Sequence, residues 1–460
     1  MSQHDVEVPG NADDTSPAPQ VRAEALDSAG VHDQHAAAPG RTPLDAAVVA
    51  APEVVSNSFG EYVRAWAKRV RSGESGVLPV LGGLVAIIVI FQVQEPVFLS
   101  AGNLINLLVQ GAVFMLLGMG EVFALLLGEI DLSIGYVAGV GAVIVAAVVA
   151  YPHSWPWWAG IAAGLAATTA IGALQGALIT RLHLPSFVVT LAGLLGWEGV
   201  MIFIVDSSGS GSGGTIRISN NILNDVVNGN MSPIAGWILM ALVVGLFASF
   251  TVFRDSRRRA GGLVTPPVGA MLLKIIIVAA AGIVLVVLAN TNRGVLVPLR
   301  GVPWVVPLLL GVLGLWSFLL GRTRYGRYVY AIGGNPEAAR RAGVNLTRIR
   351  TVAFALSGLT AGLAGIVYES RLGSISINID GGTLVLYAVA AAVIGGTSLF
   401  GGRGKPLHAV LGGLVIAVIY NGLGLLGVGA ATEYIATALV LLAAVTVDAV
   451  ARRGRTLGTS

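Results

Sequence analysis

From residue 78 onward, long apolar stretches alternate with short polar connections almost to the end of the chain. A helix needs about 20 mostly apolar residues to cross the hydrocarbon core of a bilayer. Twelve stretches meet that description: 78–94, 104–127, 132–150, 157–180, 186–205, 234–253, 271–290, 302–320, 351–368, 383–400, 407–426 and 432–450. The pattern predicts an all-α polytopic membrane protein with about 10–12 transmembrane helices, some of them broken.

The basic residues orient these spans. Arg64, Lys68, Arg69 and Arg71 lie in a juxtamembrane segment, 61–77, just before the first stretch, which places the N-terminal side in the cytoplasm. Twelve crossings then put the clusters in 181–183, 254–259, 322–350, 403–405 and 452–455 on that same side. The opposite connections carry Arg217, Arg293, Arg300 and Arg371, each isolated or nearly so. Trp155, Trp157 and Trp158 suit an outer aromatic belt. Both termini are therefore expected in the cytoplasm, with 78–450 as the membrane domain, 322–350 as a cytoplasmic segment within it, and 451–460 as a short tail.

Composition sharpens the class. Of 460 residues, 55% are hydrophobic and 11% charged, against roughly 25% charged in soluble domains. Residues 1–60 differ: they are rich in Asp, Ala, Pro, Ser and Gln and lack the apolar core of a signal peptide, so a disordered cytoplasmic tail is expected. His4, His32 and His35 fall in this tail at irregular spacing without acidic or Cys partners, and a metal site is not expected there. The absence of cysteine excludes disulfides, thiolate metal sites and a Cys nucleophile. A net charge of +4 does not suggest nucleic-acid binding.

Three segments carry candidate chemistry. The first is the polar, Arg-rich insert 325–350, YGRYVYAIGGNPEAARRAGVNLTRIR. Asn335 is placed to cap a short helix, Pro336 to open it and Glu337 to face its positive end. Ala338, Arg340 and Arg341 continue it, and Gly343 suits a left-handed stop. A rigid basic helix on the cytoplasmic face of a membrane protein is a handle for a soluble partner.

The second segment contains Glu129, Asp131 and Ser133, between two spans with almost no loop. A charge at mid-helix costs about 2.5–3.5 kcal/mol on the insertion scale, so two acids beside Gly128 predict a helix break. Two roles remain open: Asp131 or Ser133 caps the following helix, or the acids line or gate a polar path. The third segment, 393–402, places Gly395, Thr397 and Ser398 in a similar interruption. A broken helix around a midplane site and glycine-mediated helix packing both account for it. Glu121 and Glu198 are expected to face the bundle interior, and Lys274 to snorkel.

The loop 207–214, SSGSGSGG, follows a membrane span rather than a buried strand, so a flexible external connection is expected and dinucleotide binding is not. No phosphate loop, HExxH motif or Ser-His-Asp arrangement occurs. The chain is not expected to be an enzyme, and no cofactor is expected to bind it.

Several of these segments resemble the membrane permeases of bacterial sugar ABC importers, in the branch of ribose and xylose permeases and nearest its xylose members. The matching runs are EIDLSIG at 129–135, LPSFVVTLAG at 184–193, YAIGGNPEAAR at 330–340, SRLG at 370–373 and VIGGTSL at 393–399. The extra pair of spans around 254–290 also resembles the xylose branch. The resemblance implies a multi-pass protein of the bacterial cytoplasmic membrane that translocates a sugar, D-xylose or a related pentose. It implies a homodimer of permeases, an extracytoplasmic sugar-binding protein and a cytoplasmic ABC ATPase that uses ATP and Mg, with 335–343 as the coupling helix. Glu121 stands where the family usually has a neutral residue, and the N-terminal tail is longer than usual. Two alternatives are an ion-gradient-driven sugar transporter using Glu129 and Asp131, and an importer of ribose, another monosaccharide, a nucleoside or an autoinducer.

Overall fold

A computed structural model describes residues 60, 64, 78–150, 153–208, 214–218, 220–263, 265–294, 297–429, 431, 432, 434–439, 442 and 446. All of them lie in one compact unit, Val54–Ser460. The expected tail 1–60 and segment 61–77 (but for Gly60 and Arg64), most of the last span 432–450 and the tail 451–460 lie outside the described residues.

Eleven of the twelve apolar stretches coincide with helices: α1 (Leu78–Gln94), α2 (Ala101–Leu126), α3 (Ile134–Val149), α4 (Trp157–Arg181), α5 (Ser186–Ser207), and, after two short elements, α7 (Pro233–Ala260), α8 (Val268–Asn290), α9 (Val305–Arg322), α12 (Leu346–Leu372), α13 (Gly381–Ile394) and α14 (Pro406–Leu425). Eight of these are long and apolar enough to cross a bilayer, and α1, α3 and α13 are shorter apolar helices. Between α9 and α12 run α10 (Arg324–Gly334) and α11 (Pro336–Arg341). Helix α13 ends at Ile394, six residues before the apolar run does, because Gly395 and Gly396 follow and Gly396 adopts φ +105°.

The apolar positions of α2 are buried all round, as expected of a helix at the centre of a bundle. It packs against α12, α13 and α14, while α3 and α4 close the other side of α12. The α4–α12 contact is the most extensive, and small residues make it possible. A Cβ at Gly172 would overlap the carbonyl oxygen of Phe354, and one at Gly358 would overlap that of Thr168, so the backbones touch directly. Helices α7 and α8 pair mainly with each other and leave most of their apolar surface exposed, as suits a lipid-facing pair.

The connections at one end of the bundle are more ordered than the sequence pattern predicts. Within the Gly/Ser-rich connection, residues 209–213 lie outside the described residues. Beyond them, β1 (Thr215–Arg217) pairs antiparallel with β2 (Ser374–Ser376), and α6 (Asn221–Asn228) follows, its first turn capped by Asn220. Ser370 Oγ accepts the Val227 N–H at 3.0 Å and donates to the Asn224 carbonyl at 3.0 Å, which fixes α6 on the end of α12.

Candidate functional site

At the opposite end of the bundle, three connections that are far apart in sequence meet. They are the break between α2 and α3, the α13–α14 loop, and the segment α10–α11. The break is where the sequence places it, and its polar groups are buried. Asp131 is 2% exposed. Its Oδ1 accepts the Ser133 N–H at 3.0 Å and the Ser133 hydroxyl at 2.7 Å, and its Oδ2 accepts the Ser357 hydroxyl at 3.2 Å. The Asp131 N–H in turn donates to Glu121 Oε1 at 3.2 Å, and Gln175 Nε2 donates to Ser133 Oγ at 2.8 Å. The Asp131 carboxylate thus ties the start of α3 to α12, its backbone N–H adds α2 through Glu121, and Ser133 adds α4 through Gln175.

The capping role is divided in a way the sequence did not separate. Ser133 is the residue preceding α3, yet its side chain caps nothing in that helix. Asp131 does the work, by holding the backbone and hydroxyl of Ser133 together. Glu129 has a different environment two residues earlier. Its Oε1 lies 3.5 Å from Arg350 Nη2, in the first turn or so of α12, and both side chains are mostly buried.

Gly395, Thr397 and Ser398 form the α13–α14 connection. A Cβ at Gly395 would overlap the backbone of His408, so this glycine serves helix packing. The Ser398 hydroxyl accepts the Phe400 N–H at 3.0 Å, and the Ser398 N–H donates to the Arg403 carbonyl at 2.8 Å, closing the loop on itself. Thr397 is 2% exposed and its hydroxyl has no hydrogen-bond partner.

The loop reaches both neighbours. The Gly402 N–H donates to the Leu126 carbonyl at 2.9 Å, the last carbonyl of α2. The Tyr330 hydroxyl on α10 donates to the Gly404 carbonyl at 2.7 Å. Gly333 fits so tightly between them that a Cβ there would overlap both Leu126 O and Gly402 N. Leu126, Gly333 and Gly402 form a three-way backbone junction.

Helix α11 begins at Pro336, separated by two residues from Gly333 of this junction. Asn335 caps it, its side chain accepting the Ala338 N–H at 2.9 Å, and Pro336 opens it. Glu337 pairs with Arg340 at 2.9 Å and Arg341 at 3.0 Å, so the two arginines hold its carboxyl below the usual 4.5. That pairing is complete above pH 4.5 and is lost only as the pH falls through the lowered folded value. Gly343 ends the turn at φ +81°, with its N–H on the Arg340 carbonyl. The six-residue helix is fixed at both ends and presents its polar face outward, with Ala339 buried beneath.

One polar group lies away from this cluster, and its amides on α2 were not singled out from the sequence. Asn103, Asn106 and Gln110 project from the first turns of α2, at the far end of the bundle, and meet Tyr420 and Asn421 of α14 around a cleft. The spacing i, i+3, i+7 places them on one helix face and was the available signal. Glu198, expected to face the bundle interior, is half-buried on α5.

Comparison with known proteins covers nearly all of this structure. Residues 103–445 match the family described as branched-chain amino acid transport system / permease component. The xylose transport system permease protein of Escherichia coli K12 is 36% identical over 379 residues, spanning 82% of this chain and 92% of the relative. That of Haemophilus influenzae is 33% identical over 385 residues, 83% and 98% respectively. The ribose import permease protein of Escherichia coli K12 is 28% identical over 387 residues, 84% and 95%. No solved structure matches the chain.

Proposed function

The chain belongs to the branched-chain amino acid transport system / permease component family, and from that membership we propose that it is the transmembrane subunit of an ATP-driven sugar importer in the bacterial cytoplasmic membrane. Its cargo is D-xylose or a related pentose, in keeping with the xylose permeases it is similar to. It works as a homodimer with both termini cytoplasmic, takes sugar from an extracytoplasmic binding protein and couples to a separate cytoplasmic ABC ATPase. ATP and Mg belong to that ATPase, and the permease does no chemistry on its substrate.

The observation that carries this reading is the placement of α11. A helix too short to be stable alone is capped at both ends and separated by two residues from Gly333 of the Leu126–Gly333–Gly402 junction. A push on α11 by a docked ATPase reaches the end of the central helix α2 through backbone contacts, with no flexible side chain between. Glu129–Arg350 carries the same push to α12. Asp131 and Ser398 then act at the cytoplasmic gate by holding its backbone, Ser133 by linking Asp131 to Gln175, Glu129 by its contact with Arg350, and Thr397 and Gly395 by packing.

The test is reconstitution of permease, ATPase and binding protein in proteoliposomes. Xylose uptake is expected only with ATP, and uptake that persists with a catalytically dead ATPase would overturn the proposal. Coupling has its own test in Gly343→Val. At φ +81° a non-glycine residue costs about 1–2 kcal/mol, and a β-branched one more. Glu337→Lys removes both arginine pairs and places a positive charge at the positive end of the helix. Both variants should insert normally and lose uptake, while the ATPase still turns over. Wild-type uptake in both would remove α11 from the coupling route.

A further inference from the structure

Helix α2 opens at the end of the bundle away from α11, and its first three turns carry Asn103, Asn106 and Gln110 in an otherwise apolar sequence. With Tyr420 and Asn421 of α14 they line a cleft of about 320 Å³. Asn103 and Asn421 join across it by two reciprocal amide hydrogen bonds, at 2.8 and 3.0 Å, and Asn103 also donates to the Phe98 carbonyl at 2.8 Å. Below them the wall closes: a Cβ at Gly111 would come within 2.6 Å of the Ala417 methyl, and Gly413 lies against Met115.

Two features of the cleft have no structural purpose among the described residues. Gln110 is 7% exposed, yet its carbonyl oxygen has no hydrogen-bond partner. A buried polar atom left unpaired is unfavourable. Asn106 is exposed on a helix of membrane-crossing length, where an amide facing lipid is unfavourable. Both are accounted for if the cleft holds water and a polar solute.

The lining also defines the solute. All five side chains are neutral, so the cleft offers no counter-charge to a cation, an anion or an amino acid. Primary amides supply donors and acceptors side by side, which is what vicinal hydroxyl groups require. The Tyr420 ring, packed edge-on against Phe114 and Tyr387 at 5.7 and 6.2 Å, adds a rigid apolar face for C–H groups. Its volume lies at the small end of ligand sites, which run from about 300 to 1,000 Å³.

We propose that this cleft is the external sugar contact of the permease, in which Asn106, Gln110 and the Asn103–Asn421 pair take the hydroxyls of a neutral monosaccharide released by the binding protein. This rests on the importer reading. The Gly111–Ala417 and Gly413–Met115 contacts form its floor, and the sugar passes when that floor parts. The rival occupant is a second copy of the chain, since amides also bond helices together in membranes.

The chain has no cysteine, so Asn106→Cys supplies its single thiol. In proteoliposomes with ATPase and binding protein, a membrane-impermeant thiosulfonate added outside should modify this variant and cut xylose uptake about tenfold. The cysteine-free permease under the same treatment reports any effect on the partners. Excess free xylose should slow the modification. Gln110→Leu, which keeps the volume and removes the unpaired acceptor, should lower uptake roughly tenfold, about one hydrogen bond's worth, with ATP hydrolysis retained. An unreactive thiol, a modified variant that transports at full rate, or unchanged uptake in Gln110→Leu would each overturn the assignment. Failure of the unaltered complex to transport with ATP would instead overturn the importer reading.

Discussion

Gly333→Ala should uncouple the transporter, while Gly334→Ala, one residue on, should leave it close to wild type. The two glycines are adjacent in sequence and opposite in surroundings. A methyl on Gly333 would overlap the carbonyl oxygen of Leu126 and the amide nitrogen of Gly402. Neither is the tip of a side chain that can swing aside. Relief requires that α10 move off the end of α2 or that the Gly402–Leu126 hydrogen bond open. A methyl on Gly334 meets nothing within 4 Å. Overpacking a close contact costs about 1–3 kcal/mol, and borne by the docked state alone this amounts to a roughly 5- to 150-fold fall in coupled uptake. The measurement is xylose uptake and ATP hydrolysis in the same proteoliposomes, with the detergent melting temperature as a control for folding. Equal uptake by both variants would show that the junction transmits nothing.

That contrast marks the boundary of what the sequence could disclose. Helix positions were legible because membrane spans follow from apolar length alone, and eleven stretches became helices, most within a few residues of their expected ends, with α7 running seven residues further and α13 stopping six short. The break at Gly128 was legible because charged residues at depth are costly, and α11 because Asn335, Pro336 and Gly343 each suit one position of a short helix. The elements that were missed depend on contacts between distant segments. β1 and β2 have three residues each and exist only because positions 215–217 and 374–376 are brought together. Glu129 and Asp131 looked alike in sequence. They differ because one lies beside Arg350 and the other beside Ser357. The amide face of α2 obeyed a helical period, but Asn and Gln scattered in apolar helices also occur as packing glue. Only the cleft beside them and the unpaired oxygen of Gln110 set them apart.

Asp131 is the residue whose loss should cost the fold most. Asp131→Ala removes the acceptor for three buried donors at once, the Ser133 N–H, the Ser133 hydroxyl and the Ser357 hydroxyl. The hydroxyls can turn toward other acceptors, but the backbone N–H cannot. With buried donors at about 1–3 kcal/mol each, a loss of about 2–5 kcal/mol is expected, read as a large drop in melting temperature and little transport. Asp131→Asn separates the acceptor from its charge. An amide oxygen in place of Oδ1 still accepts both Ser133 donors, and the amide NH2 in place of Oδ2 can donate to the Ser357 hydroxyl. Every partner keeps a bond. Since Asp131 lies at the opposite end of α2 from the polar cleft and is closed off from solvent, its work is to hold the turn into α3. Asp131→Asn should therefore melt near the wild type and transport within about twofold of it, as side-chain caps tolerate the exchange of Asp for Asn. A variant that folds normally and cannot transport would assign the charge itself a part in the cycle, and the proposed gate would then be electrostatic rather than mechanical.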